Sequence, residues 1–372
     1  MPRVLIAGYY GHGNAGDEAM LAAIVSALRS LEPGLGITVL SSRPEATAAD
    51  HGVQVAPRLG IPAMLRAIRT ADLVLIGGGS LLQDVTSRRS MVYYLGIAQV
   101  ARWLGKRVML FANGIGPVRT TSGRLLMRLF ANGIDLITVR DRPSLEELSR
   151  LGVTRPRIEL SADPALLLPL PAAGTGEAVL RAEGLWPEEL RRQPLLGLSV
   201  RTWKGSEQAG VAVARAADRF CRQHQTQAVL VPMQHPSDVA ASEQVAAAME
   251  TSPLLVRGYH SAAELMGLVS AMDLMVGVRF HALVFAALAG VPLVGLSYDP
   301  KIDNFLGSLG LTPVAALGQV TEEDLFQAME EAWDRRRRLQ ADIAPRLEEQ
   351  KRLAARSAEL AVDLARGQAF RR

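Results

Sequence analysis

Short apolar runs alternate with helix-like segments along almost the whole chain, and this alternation limits the possible folds severely. In the first half, apolar runs lie at residues 4–7, 37–40, 73–76, 108–111 and 136–139. Between the first two runs, Met20, Ile24, Leu28 and Leu31 recur at helical spacing. Strands that alternate with helices form parallel sheets, so the pattern predicts a doubly wound α/β domain.

The same alternation returns in the second half after an interruption. Residues 164–194 are rich in Pro, Gly, Ala and Glu, and apolar runs then resume at 195–200, 228–231, 254–256, 274–276 and 293–296. A chain of 372 residues also exceeds the size of one ordinary core. We therefore predict an α/β fold with two Rossmann-like doubly wound domains facing a cleft. The expected boundaries are residues 1–165 and 195–372, with a connection at 166–194 and a terminal helix at 350–364 that can pack back on the first domain.

Composition narrows the class of protein. The chain is 49% hydrophobic and 21% charged, with a net charge of +4, 5% aromatic residues and one cysteine. These values are typical of a globular protein and argue against disorder, a disulfide scaffold and nucleic-acid binding. With no visible signal peptide and no apolar stretch of spanning length, we expect a cytoplasmic protein. The basic run at residues 335–338 is expected near the C-terminal end of a helix capped by Thr321. The alternative interpretation is contact with an anionic surface, either the inner membrane face or an acidic partner.

Residues 11–16, Gly-His-Gly-Asn-Ala-Gly, match the G-x-G-x-x-G pattern of dinucleotide-binding proteins. However, Gly8 stands at the strand end, so the pattern begins three residues late, and Asp17 and Glu18 would repel a pyrophosphate at the helix start. We therefore do not expect a nicotinamide cofactor. We also expect no metal, because no cluster of metal-ligating residues is visible in the sequence. Asp17 and Glu18 can be ordinary helix-start carboxylates, or they can meet a polyol, with one of them accepting a proton.

Ligands of open α/β sheets bind beyond the carboxyl ends of the strands, so the residues after each strand are the candidates. In the first half these are Gly13, Asn14, Gly78, Gly79, Ser80, Asp84 and Asn113. In the second half they are Arg201, Gln234, Arg279, His281 and Lys301. Arg279 and His281 lead into a helix, where side chains and backbone N–H groups can form a phosphate or carboxylate site. We expect Arg279→Ala to abolish turnover and to leave the fold intact.

Several of these segments resemble one protein family over nearly the whole chain. The similar segments are residues 8–18 (Gly-Tyr-Tyr-Gly-His-Gly-Asn-Ala-Gly-Asp-Glu), 77–84 (Gly-Gly-Gly-Ser-Leu-Leu-Gln-Asp), 112–117, 139–141, Arg201, 279–281 and 299–301. On these residues the chain resembles the polysaccharide pyruvyl transferases, most closely the CsaB type. Many relatives carry Leu at the position of Phe280.

The resemblance implies a fold like the GT-B glycosyltransferases and a phosphoenolpyruvate donor held by Arg201, Arg279 and His281. It also implies a lipid-linked acceptor containing N-acetylmannosamine and a cyclic pyruvate ketal product, to which S-layer homology domains bind. The chemistry needs an acid, a base and cations for the departing phosphate. His281 can supply a proton, and Asp17, Glu18 or Asp84 can accept one.

Two other functions stay open at this point. A nucleotide-sugar glycosyltransferase shares the architecture and needs an acidic residue for the ribose, for which Glu264 is available. A non-catalytic sugar-phosphate sensor is the second alternative, although binding alone does not require the carboxylates.

Overall fold

Two parallel sheets organise residues 1–85, 87–186, 193–202 and 207–368, the part of the chain that the computed structural model describes. The chain divides into two units. Unit 1 contains Met1–His12, Asp17–Leu168 and the segment that starts at Gln350. Unit 2 contains Gly13–Gly16 and Pro169–Glu349, so a short piece of the N-terminal region belongs to the second unit.

Unit 1 is built on a seven-stranded sheet with the strand order β3-β2-β1-β4-β5-β6-β7. Its strands are β1 (Arg3–Ala7), β2 (Gly36–Ser41), β3 (Gln54–Pro57), β4 (Leu73–Gly77), β5 (Arg107–Asn113), β6 (Leu136–Val139) and β7 (Arg157–Leu160). Its helices are α1 (Ala15–Leu31), α2 (Pro44–His51), α3 (Ile61–Thr70), α4 (Arg88–Trp103), α5 (Thr121–Ala131) and α6 (Arg142–Arg150).

Both faces of this sheet are covered. Helices α3 to α6 pack on one face, where the buried side chains include Ile68, Tyr94, Met127 and Leu148. Helix α1 packs on the other face, together with the C-terminal part of the last helix of the chain. This division follows from the right-handedness of the crossover connections. The chain moves across the sheet in one direction from β1 to β3 and in the opposite direction from β3 to β7, so the helices of the two stretches lie on opposite faces.

Unit 2 is built on a five-stranded sheet with the strand order β10-β9-β8-β11-β12. Its strands are β8 (Leu195–Ser199), β9 (Gln227–Leu230), β10 (Leu254–Leu255), β11 (Leu274–Gly277) and β12 (Leu293–Gly295). Its helices are α7 (Thr175–Ala182), α8 (Glu207–His224), α9 (Ser237–Ala248), α10 (Ala262–Ser270), α11 (Phe280–Ala289), α12 (Pro300–Ser308), α13 (Glu322–Asp334) and the first part of α14 (Arg336–Ala365). The proposed connection at 166–194 includes α7, and its residues 187–192 lie outside the described part of the chain.

The ten strands expected from the sequence are confirmed, and two further strands were missed. Both missed strands, β3 and β7, lie at the edges of the unit 1 sheet. Their sequences, Gln-Val-Ala-Pro and Arg-Ile-Glu-Leu, contain no two adjacent large aliphatic residues, and both strands are only partly buried.

The expectation for the arginine run at residues 335–338 is correct only for its first member. Thr321 caps α13 as predicted, and Arg335 is the C-cap of that helix. The next three arginines open α14, which extends well before the predicted start at residue 350. They therefore lie at a helix N-terminus, where the helix dipole does not favour cations.

No helix of the described residues is both long enough and apolar enough to cross a membrane.

Candidate functional site

Cationic side chains meet at the carboxyl edge of the unit 2 sheet. Arg201 follows β8, Arg279 follows β11, and Lys301 lies in the first turn of α12, which follows β12. These three strands are neighbours in the sheet, so the segments after them are neighbours as well. The structure therefore brings together three residues that we selected from the sequence as candidates for an anion site.

Two of these cations, Arg201 and Lys301, lie against the side chain of Tyr298. Arg201 Nη1 donates a hydrogen bond to Tyr298 Oη at 2.7 Å. The Arg201 guanidinium carbon lies 4.5 Å from the Tyr298 ring centroid, and Lys301 Nζ lies 5.4 Å from it. Burial alone would raise the pKa of Tyr298, but the charges of Lys301, Arg201 and Arg279 outweigh it and lower the pKa below its usual value. The sequence analysis did not select Tyr298, although its position just after β12 was a usable signal.

An anion bound among these cations is expected to raise the pKa of Tyr298, because it cancels the positive potential that stabilises the phenolate. An alkaline absorbance titration of the phenol, with and without phosphoenolpyruvate, measures this shift. Subtracting the titration curve of Tyr298→Phe from that of the wild type gives the contribution of Tyr298 alone. Lys301→Gln should raise the same pKa without any ligand, and an unchanged titration in that variant would contradict the described geometry.

Arg279 is held by a buried carboxylate. Its Nε donates to Asp238 Oδ2 at 2.7 Å, its Nη2 also bonds Asp238 Oδ1, and Nη2 donates to Gln234 Oε1 at 3.0 Å. Asp238 is 1% exposed and also accepts the backbone N–H groups of Met233 and Gln234. The Asp238 charge is therefore compensated only while Arg279 is present. This pairing corrects the expectation that Arg279→Ala leaves the fold intact. The change would leave the Asp238 carboxylate buried without its cation, and this destabilises the fold.

The loop Gly13–Gly16 forms part of unit 2 by pairing with the loop after β9. Ala15 donates its N–H to the Met233 carbonyl at 2.9 Å, and His235 donates to the Gly13 carbonyl at 3.0 Å. Asn14 Oδ1 accepts the N–H of Gly16 at 3.0 Å. Backbone hydrogen bonds of Gly13 and Ala15 thus hold Asn14 beside Gln234. Gly13 and Asn14 are the residues of this loop that we expected to bind substrate.

The loop brings Gly16 directly against His281, which lies in the first turn of α11. A Cβ atom built on Gly16 would lie 1.8 Å from His281 Nδ1. Only glycine can therefore occupy this position while the imidazole keeps its place. Asp17 is the next residue of the chain, at the beginning of α1.

If the chain catalyses the group transfer that its resemblance implies, Gly16→Ala is expected to lower the rate roughly 100-fold, because the new methyl group must displace the His281 ring. Transfer assays and thermal unfolding of the variant measure the two effects separately. Gly210→Ala serves as the matched control, since Gly210 lies within α8 and its nearest neighbour would be 3.8 Å from the added Cβ. Equal activity in the two variants would show that the imidazole position is unimportant.

Helix N-termini add to the positive potential of this edge. Helix α11 begins at Phe280, and Arg279, its N-cap, makes no side-chain capping bond. Helix α12 follows its N-cap Asp299, which accepts the N–H of Lys301 at 3.1 Å. Backbone N–H groups at such ends favour anions. Together with the cations, they make this edge suited to a small anion with more than one negative charge.

Unit 1 has a second cluster at the carboxyl edge of its own sheet. Gly78 and Gly79 have φ values of 56° and 76°, and a Cβ on Gly78 would lie 2.9 Å from Met20 Sδ. Asn113, fully buried, donates its Nδ2 to the Gly78 carbonyl at 3.3 Å. A Cβ on Gly79 would lie 3.4 Å from Asp17 Oδ1. The glycine turn therefore lies against the first turn of α1, beside the Asp17 carboxylate.

Arg140 extends this cluster and was not among the predicted site residues. It follows β6, and its Nη2 donates to Ser80 Oγ at 2.7 Å. Its Nη1 lies 3.4 Å from Asp163 Oδ2, and its side chain is 5% exposed. A Cβ on Gly114 would lie 2.7 Å from the guanidinium, so the glycine makes room for it. The sequence analysis noted the segment 139–141 but did not select Arg140 as a site residue.

The carboxylates of Glu18 and Asp84 accept hydrogen bonds from the backbone of neighbouring loops. Glu18 Oε1 accepts the N–H of Gly11 at 2.7 Å. Asp84 accepts the N–H groups of Arg119 and Thr120, both at 2.8 Å, and the Thr120 hydroxyl at 2.5 Å. Burial would raise the pKa of Asp84, but these hydrogen bonds lower it below its usual value. The structure thus brings Asp17 together with Gly79, and it gives Glu18 and Asp84 other contacts.

Two parallel Rossmann-like sheets define the fold class of the GT-B glycosyltransferases and sugar-nucleotide epimerases. Within that class, the sequence gives the family. The chain belongs to the polysaccharide pyruvyl transferase family, whose model matches residues 14–300. It is therefore a transferase. No curated protein sequence matches the chain significantly.

Solved structures support the fold class at low sequence identity. A UDP-GlcNAc 2-epimerase from Neisseria meningitidis is 8% identical with a TM-score of 0.66, and the match covers 98% of this chain and 99% of that one. A glycosyltransferase from Rickettsia africae is 9% identical with the same TM-score and the same coverage of both chains. A ugt transferase from Siraitia grosvenorii is 11% identical, with a TM-score of 0.56 and coverage of 98% and 100%.

Proposed function

We propose that this transferase moves the pyruvyl group of phosphoenolpyruvate onto two hydroxyls of a cell-wall glycan sugar, forming a cyclic pyruvate ketal and releasing phosphate. The observation that carries the proposal is the cationic carboxyl edge of unit 2, where Arg201 and Lys301 lie against Tyr298 and Arg279 follows the neighbouring strand β11. Phosphoenolpyruvate is a small molecule with a phosphate and a carboxylate, which matches several cations and two helix N-termini.

Arg201 and Lys301 are the donor-binding cations in this proposal. Arg279 shares its charge with Asp238, so it contributes by holding Gln234 and the loop beside it as well as by its field at Tyr298. As phosphate leaves, its oxygen takes the electrons of the broken C–O bond, and nearby guanidinium and ammonium groups stabilise that charge.

His281 is the proton donor in this proposal. Protonation of the methylene carbon turns it into a methyl group and leaves positive character on the carbon that bears the phosphate. One sugar hydroxyl adds to that carbon and loses its proton, and phosphate departs. A second hydroxyl then closes the ring with loss of its own proton. An imidazole at the start of α11, beside the cationic cluster, is suitably placed to give and regain a proton.

Asp17 is the carboxylate that we assign to the hydroxyl protons. It is the residue after Gly16, which abuts the His281 ring, and it lies beside the glycine turn of unit 1. Glu18 and Asp84, the other two candidates, are assigned to loop structure, because Glu18 accepts the N–H of Gly11 and Asp84 accepts the N–H groups of Arg119 and Thr120. Gly78, Gly79, Ser80 and Asn113 shape the acceptor-binding region, with Ser80 supplying a hydroxyl.

The acceptor in this proposal is a lipid-linked cell-wall sugar. Resemblance to the CsaB type supports a lipid-linked sugar containing N-acetylmannosamine, in a polymer that anchors S-layer homology domains after pyruvylation. The neighbouring structures instead include enzymes described with UDP-sugars. Glu264, the residue that could have bound a nucleotide ribose, forms a capping box with Ser261 at the start of α10, which weakens the glycosyltransferase alternative.

Release of phosphate from phosphoenolpyruvate in the presence of a lipid-linked or synthetic N-acetylmannosaminyl acceptor tests the proposal. We expect release that requires both compounds, and an acceptor mass gain equal to one pyruvyl group in ketal linkage. Consumption of a UDP-sugar in place of phosphoenolpyruvate would favour the glycosyltransferase. Ligand binding with no turnover of either donor would favour a sensor.

A further inference from the structure

Helices α3, α4 and α5 form a continuous outer layer on one face of unit 1. Their buried sides contribute to the same apolar cluster, and α4 packs directly against α5. Tyr93 of α4 donates its hydroxyl to the Arg58 carbonyl, just before α3, at 2.7 Å. The three helices therefore present their outer sides on one surface.

This surface exposes large apolar side chains. They are Leu59 and Ile61 at the start of α3, Val92 and Trp103 on α4, and Leu125 and Leu129 on α5. Leu59 is 81% exposed and Trp103 is 76% exposed, so these side chains are not half-covered core residues. Leu125 and Leu129 are four residues apart and share one side of α5. Clustered exposure of this kind marks an interaction surface.

The charged residues of the same helices are all positive. Helix α3 contains two arginines, α4 three and α5 two, and their sequences contain no Asp or Glu. All seven are exposed: Arg66, Arg69, Arg88, Arg89, Arg102, Arg124 and Arg128. The chain as a whole has 41 basic and 37 acidic residues, so this bias is local.

We propose that this basic apolar face, formed by the six apolar and seven arginine side chains named above, binds the surface of an anionic lipid bilayer. Leu, Ile, Val and Trp can enter the boundary between headgroups and acyl chains, while the arginines bind lipid phosphates. A nucleic acid could bind to the arginines, but it would not account for the exposed aliphatic side chains. The charge complementarity and the aliphatic character together favour a membrane.

The face adjoins the functional edge of unit 1. Helices α3, α4 and α5 follow β3, β4 and β5, so their N-terminal ends lie at the carboxyl edge of the sheet, as does the Gly78 turn. Leu59 and Ile61 lie at that end of α3. A membrane bound there would bring a lipid-linked sugar close to this edge, and this consequence alone rests on the proposed function.

Co-sedimentation of the full chain with vesicles tests the proposal without any transferase assay. We expect binding to vesicles of phosphatidylcholine mixed with an equal amount of phosphatidylglycerol, weakening as salt increases, and little binding to phosphatidylcholine alone. Two triple variants remove the two components of the face: Arg66→Gln with Arg69→Gln and Arg89→Gln, and Leu59→Ser with Ile61→Ser and Leu125→Ser. Each is expected to weaken binding about tenfold or more.

The matched controls lie elsewhere on the chain. Arg336→Gln with Arg337→Gln and Arg338→Gln removes the same charge from the exposed basic run, and Leu170→Ser with Val211→Ser removes exposed apolar residues of unit 2. Their binding should stay close to that of the wild type. The proposal is wrong if the wild type does not bind anionic vesicles, or if the face variants and the controls lose binding equally. It is also wrong if the face variants instead dissociate a dimer of this chain in sedimentation velocity.

Discussion

Arg279→Ala is expected to lower the free energy of unfolding by about 3–5 kcal/mol, because it leaves the Asp238 carboxylate buried without its cation. Asp238 is 1% exposed, so water cannot replace the lost guanidinium. Urea unfolding followed by circular dichroism measures the change. Transfer activity should also be lost, since the loop carrying Gln234 loses its hydrogen bond to Arg279.

Two further variants separate the charge effect from simple truncation. Arg279→Ala combined with Asp238→Asn should recover much of the stability, because no charge remains buried, while activity stays lost. Arg257→Ala removes an arginine whose ion pair with Glu243 is largely exposed, and it should change stability by less than about 1 kcal/mol. Equal destabilisation by Arg279→Ala and Arg257→Ala would contradict the buried pair.

His281→Gln is expected to slow phosphate release about 10²–10⁴-fold, the usual contribution of a general acid or base. The amide keeps a polar group at the start of α11 but cannot deliver a proton. Thermal unfolding should change little, because His281 is partly exposed. Single-turnover release of phosphate from phosphoenolpyruvate with a saturating acceptor is the measurement.

His224→Gln provides the matched control for this substitution. His224 lies at the end of α8 and pairs with Glu330, in contacts that do not involve the cationic cluster. Its rate should equal that of the wild type. A His281→Gln rate within a factor of a few of the control would remove His281 from proton transfer.

The fold could be predicted from the sequence because each strand that is buried on both faces appears as a short run of apolar residues. Central strands such as β4 and β8 are covered on both faces, so every residue in them is apolar or small. The edge strands β3 and β7 lack this pattern, and they were missed for that reason. The positions of Arg201, Arg279 and Lys301 followed from a topological rule, since parallel strands end at one edge.

The roles of individual site residues were harder to predict. A carboxylate in a glycine-rich segment can serve chemistry or hold a loop, and only the hydrogen bonds of Glu18 and Asp84 distinguish these uses. Asp238 is an ordinary helix-start residue in the sequence, yet it compensates Arg279 through a contact 41 residues away along the chain. Such long-range pairing depends on how loops meet, and residue spacing carries no information about it.

Calorimetric titration of the full chain with phosphoenolpyruvate tests the central claim most directly, because the cationic edge of unit 2 should bind this donor without an acceptor. We predict binding with one site per chain that weakens at least about tenfold in Arg201→Gln and in Lys301→Gln. Arg337→Gln, an exposed arginine of α14, should leave the affinity unchanged. An absence of binding to the wild type, or an affinity that Arg201→Gln and Lys301→Gln do not alter, would contradict the account.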